Sequence, residues 1–165
     1  MTPMDSGMTL LREIRMECNP INIRRVREEV HSLANELGFQ PKDTFHIELV
    51  VDEACVNAIE HGSSASCNMD FVLEFHRTEE NLIIIVKDFG GRSFNPSYFE
   101  RISKQKTWRK GGKGIHIIKE LMDEVMYILN QGAFTTLVMV KKLPEPEPQE
   151  QINEEAASLQ PQVEK

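Results

Sequence analysis

A chain of 165 residues, 40% hydrophobic and 27% charged, is long enough for one globular domain with a buried core. Its net charge of -7 argues against a nucleic-acid binder, whose footprint is a basic face. That charge is uneven: Pro144 to Lys165 holds six Glu and one Lys, a net of -5, so residues 1–143 carry only -2.

Met1 to Met8 shows no basic region followed by an apolar stretch, and no apolar run reaches the ~20 residues that cross a bilayer. A cytoplasmic protein with no membrane contact is expected. Cys18, Cys55 and Cys67 have no metal-ligand spacing, and an odd number suits a disulfide framework poorly. Cys55 lies in an apolar run and reads as a buried thiol of a reducing compartment.

From Met8 to Met16 apolar residues take every second position (Met8, Leu10, Ile14, Met16), broken at Arg12, which predicts a half-buried strand. Ile23, Val26, Val30, Leu33 and Leu37 recur at helical spacing, with Asn22 as N-cap and Gly38 as stop. A second helix starts near Pro41 and runs to Gly62. Met69, Phe71, Leu73 and Phe75 form a strand, and after the polar turn Arg77 to Asn81 the run Leu82 to Val86 forms a central one. A basic loop from Gly90 to Lys113 leads to a helix from about Gly114 to Met122. A hairpin of Val125 to Leu129 and Phe134 to Val140 follows. The order predicts an α+β, two-layer α/β sandwich with helices on one face of a mixed, mostly antiparallel sheet. One domain over 8–143 is expected, followed by a disordered acidic tail over 144–165 that holds four prolines and little to bury.

Three short patterns carry chemistry. Glu53 and Asn57 lie one turn apart on a largely apolar helix, where a carboxylate and a carboxamide need a reason to be. A divalent metal with phosphate is one reason: Asn oxygen is a hard ligand, and Glu can deprotonate a hydroxyl. A surface polar stripe is the other. Asp88 closes the central strand before Gly90, so that backbone can approach a flat ligand while the carboxylate accepts a hydrogen bond; a simple turn reads the same way. Gly112 and Gly114, with Lys110 and Lys113, precede a helix and expose N–H groups to an anion.

In this order and at these separations, Glu53-x-x-x-Asn57, Asp88-x-Gly90 and Gly112-x-Gly114 resemble the three nucleotide-binding boxes of the GHKL (Bergerat-fold) ATPase superfamily. Asn57-Ala-Ile-Glu-His-Gly62 and the segment Gly114 to Val125 resemble its anti-sigma serine kinase branch, over roughly Met8 to Lys142. The resemblance implies Mg-ATP as cofactor, with Glu53 as general base, Asn57 as Mg2+ ligand and Asp88 recognising adenine. It also implies that Gly90 leaves room for the base and that Gly112, Gly114 and Lys110 lie at the phosphates. A Thr near adenine on the last strand would be Thr136 or Thr135. The implied activity is phosphorylation of a serine on a STAS-type anti-anti-sigma protein, with sequestration of a sigma factor by a homodimer. A non-catalytic, nucleotide-gated binding module is the alternative, and the intact Glu53 favours the kinase. A detached histidine kinase catalytic domain fits less well, because no phosphoacceptor helix is present. One departure stands out: the branch pattern Asp-x-Gly-x-x-Phe-Asp-Pro here has an extra residue before Phe94 and Asn95 in place of Asp.

Overall fold

The computed structural model describes residues 7–17, 19–62, 71–88, 113–130 and 134–146. Within them the order is β1 (Thr9–Met16), α1 (Ile23–Glu36), α2 (Pro41–Gly62), β2 (Phe71–Arg77), β3 (Asn81–Asp88), α3 (Lys113–Leu121), β4 (Glu124–Asn130) and β5 (Phe134–Lys142). The strands form one sheet in the order β1-β2-β3-β5-β4. All four pairings are antiparallel, which corrects the expectation of a mixed sheet. The reason is topological: β4 takes the outer edge, and the return at 130–134 sends β5 back beside β3.

One face of the sheet carries the core. Phe71, Leu73 and Phe75 of β2, Leu82, Ile84 and Val86 of β3, and Leu137 and Met139 of β5 are buried with Val26, Val30 and Leu33 of α1. Val50, Ala54 and Ala58 of α2 and Ile118 of α3 complete it. Each fully buried aliphatic or aromatic side chain contributes about 1.5–3 kcal/mol. On the other face Ile83, Ile85, Val138 and Val140 are half-buried, and Met126 and Ile128 are exposed.

The simple alternation expected for β1 does not hold. Leu10 stands opposite His76 but Arg12 opposite Phe75, so Leu11 is an extra residue, a β-bulge. The bulge leaves Leu10 exposed and turns Leu11 to the core, while Arg12 falls in phase with buried Ile14 and Met16. Arg12 is tolerated on that side because it reaches α1: Nη1 donates to Glu29 Oε2 at 3.0 Å, and Nη2 to Glu36 Oε1 at 2.5 Å.

The N-cap expectation is also corrected. Asn22 has helical dihedrals and no side-chain capping bond. It closes a 3-10 turn, Pro20–Asn22, in which Asn19 Oδ1 accepts from the Ile21 N–H at 3.1 Å. A residue already in helical geometry cannot turn its side chain onto the following N–H groups. At the other end Gly38 has φ +81°; its N–H reaches Asn35 O and the Phe39 N–H reaches Ala34 O, the Schellman pattern.

Candidate functional site

Lys141 fixes how the helices lie on the sheet. Its Nζ stands 3.9 Å from Asp43 Oδ1 at the start of α2 and 3.4 Å from Leu121 O at the end of α3. Lys141 pairs with Leu82, near the start of β3. So α2 starts at the Leu82 end of β3 and packs along that strand. From Asp43 to Asn57 the helix rises about 21 Å. From Leu82 to Asp88 the strand rises about 20 Å. Asn57 and Asp88 therefore both lie in the halves of α2 and β3 away from Lys141. α3 ends at Lys141 and is nine residues long.

Asn57 is 9% exposed and makes no side-chain hydrogen bond with the described residues. A buried carboxamide without a partner is costly unless something else meets it. Glu53, one turn earlier, is half-buried. Asp88 continues the series Leu82, Ile84, Val86, whose members face the helices. Gly90, Lys110 and Gly112 lie outside the described residues.

The register separates the two threonines. Thr136 pairs with Lys87, in the set of Val138 and Val140 on the face away from the helices, whereas Thr135 pairs with Asp88. By strand alternation Thr136 and Asp88 belong to opposite faces of the sheet.

The domain model described as "Histidine kinase-like ATPase domain" matches residues 16–141. The chain belongs to this family. Within it, relatives of this ATPase domain include the "Serine-protein kinase RsbW" of Halalkalibacterium halodurans, 34% identical, covering 72% of this chain and 74% of the relative. The protein of the same name from Bacillus licheniformis is 27% identical, with 79% and 84% covered. Among solved structures, a chain of the SiaB–SiaC complex from Pseudomonas aeruginosa matches with a TM-score of 0.61 at 13% identity, covering 79% of this chain and 89% of that one. That likeness shows a shared fold.

Membership of the histidine kinase-like ATPases implies ATP as a ligand of this domain. Its donor set fits Mg2+ as well. Among the described residues no three His, Cys, Asp or Glu converge to hold a metal. Mg2+ asks for no such cage, because one protein oxygen, nucleotide phosphates and waters complete its shell. No described helix is long and apolar enough to cross a membrane.

Two polar features of the ATPase domain escaped the sequence. Asp52, immediately before Glu53, takes the Arg27 guanidinium on Oδ2 at 2.5 Å, while its Oδ1 is buried without a hydrogen bond. This hydrogen bond and charge raise the Arg27 pKa. Only the antiparallel packing of α1 on α2 sets Arg27 across from Asp52. Below it, Cys55 is fully buried, and burial, helped by Asp52, pushes its thiol up to about 12. Such a thiol is inert.

Proposed function

We propose that this chain is an ATP-dependent serine-protein kinase that phosphorylates a STAS-type anti-anti-sigma protein and sequesters a sigma factor. The carrying observation is the pair Glu53 and Asn57, one turn apart on α2, with Asn57 only 9% exposed and making no side-chain hydrogen bond among the described residues. The RsbW relatives, named as serine-protein kinases, support the same reading.

In this mechanism the Asn57 oxygen would hold Mg2+, which when bound offsets charge on the phosphates. Asp88 would accept a hydrogen bond from the adenine amine. Thr135, in register with Asp88, would assist it. By the family resemblance Gly90 would leave space for the base, and Gly112, Gly114 and Lys110 would offer N–H groups and positive charge to the phosphates. Glu53 takes the proton of the substrate serine as its oxygen bonds to the γ-phosphorus and the bond to the β-phosphate oxygen breaks. The products are ADP and a phosphoserine.

The test is transfer from γ-labelled ATP, in Mg2+, to STAS-domain proteins of the same genome. Label on a serine is expected. Glu53→Gln should retain Mg-ATP binding and lose transfer by about 10²–10⁴-fold; transfer at the wild-type rate would remove Glu53 as the base. Asn57→Ala should lose Mg2+-dependent affinity. Thr135→Val should weaken nucleotide binding more than Thr136→Val, and the opposite order would reverse the assignment. ATP binding with no label on any candidate would favour a nucleotide-gated binding module.

A further inference from the structure

The chain carries most of its net negative charge after Pro144, and the described residues show where that segment leaves the domain. β5 ends in a short extension in which the Leu143 N–H donates to Glu80 O at 2.8 Å. Pro144 lies beside Gly38: a Cβ on that glycine would stand 3.7 Å from Pro144 Cγ. The chain therefore leaves the domain next to the C-terminal end of α1. It does so at the Glu80 end of β3, opposite Asp88.

The outward ridge of α1 begins with Ile21, 78% exposed in the preceding turn, and continues through Arg24, Arg25 and Glu28. Successive helical positions three and four apart put these residues on one stripe. Arg24 pairs with Glu28 across one turn. Arg25 is exposed and makes no ion pair among the described residues. The ridge offers a large apolar side chain beside two guanidinium groups, with no acid in the first turn of the helix.

The tail carries the complement. Glu154 and Glu155 are adjacent, and Ile152, Ala156 and Leu159 recur around them at intervals of four and three. α1 has 14 residues and spans about 21 Å. The eight or nine residues from Pro146 to Glu154 and Glu155 reach about 25–30 Å when extended. We propose that residues 147–165 dock back along α1 in the same molecule, setting Glu154 and Glu155 on Arg24 and Arg25 and an apolar tail residue on Ile21. Tethering supplies an effective concentration of about millimolar, so a contact too weak to form between free molecules is occupied within one chain. An acidic segment of any partner that sought this ridge would have to displace the tail.

The test needs no nucleotide and stands apart from the kinase reading. Backbone amide and Arg side-chain NMR resonances of Ile21 to Glu28 are compared in the full-length protein and its Glu154→Gln/Glu155→Gln variant. Docking predicts shifts confined to that ridge, independent of protein concentration. The wild-type resonances should move to the variant's positions in about 0.5 M salt, where the screening length falls to a few ångströms. Reversing both sides together, Arg24→Glu/Arg25→Glu with Glu154→Arg/Glu155→Arg, should restore the docked shifts. Spectra that superimpose over residues 21–28 would overturn the proposal. So would shifts confined to the basic stretch from Arg92 to Lys113, or shifts that grow with concentration and therefore report a second copy.

Discussion

Glu74 shows how a single carboxylate is held on a sheet face that no described helix covers. It accepts from the Lys87 ammonium on one oxygen and meets His76 Nε2 at 2.9 Å on the other. Burial raises its pKa, but the hydrogen bonds and charges of Lys87 and His76 more than offset this and leave it below the ordinary value. A carboxyl with a depressed folded-state pKa stabilises the fold above its unfolded pKa of about 4.3 and loses that contribution as pH falls through the lower folded value. Urea melts of wild type and Glu74→Gln should accordingly differ most near neutral pH and converge below about pH 4. A difference that is constant with pH would mean that Glu74 acts through packing alone. Asn57 is the contrasting case: a neutral amide, 9% exposed, that makes no side-chain hydrogen bond among the described residues.

At the scale of elements, the two ends of α1 are stopped by different physics. The C-terminal end needs a residue at φ +81°, and Gly38 supplies it without a Cβ. A Cβ there would meet Pro144 at an ordinary 3.7 Å, so the cost of Gly38→Ala is conformational rather than steric. About 1–2 kcal/mol of lost stability in denaturant unfolding is expected. The N-terminal end depends on the Asn19 turn, so Asn22→Ala should change stability by less than about 0.5 kcal/mol. A loss of ~1 kcal/mol at Asn22 would restore it as the cap. Arg12 belongs to this scale too, since its two carboxylate partners tie β1 to α1. These ion pairs are partly exposed, and orientation of the helix is their main contribution.

For the whole molecule, the lysine junction at Lys141 gathers the start of α2 and the end of α3 at one end of the sheet. The C-terminal ends of α2 and β3 are thereby left toward the other. A ligand that bridges them should stabilise the entire fold. Mg-ATP at about 100 times its Kd adds roughly 2.7 kcal/mol, a rise in Tm of about 5–10 °C for a domain of this size. The gain should shrink for Asn57→Ala and when Mg2+ is chelated. A Tm that ignores nucleotide would count against ATP as the ligand.

Much of this was legible before any coordinates. Helix and strand positions followed from periodicities of 3.6 and 2, because those patterns reflect which face of a local element meets the core. Gly38 and Pro41 marked the α1–α2 junction, since backbone freedom and its restriction belong to the residue itself. Glu53, Asn57 and Asp88 stood out as polar groups where apolar ones were due. Other features depend on which residues meet across the chain, and local patterns are silent about that. The bulge at Leu11 moved Leu10 off the core, and the all-antiparallel strand order came from where β4 enters. The pairing of β3 with β5 set Thr135, not Thr136, against Asp88. By itself the sequence determined the elements and marked the candidate site residues, because both are local. The tertiary structure alone decided register and direction, because a one-residue shift in strand pairing exchanges the two faces of a sheet.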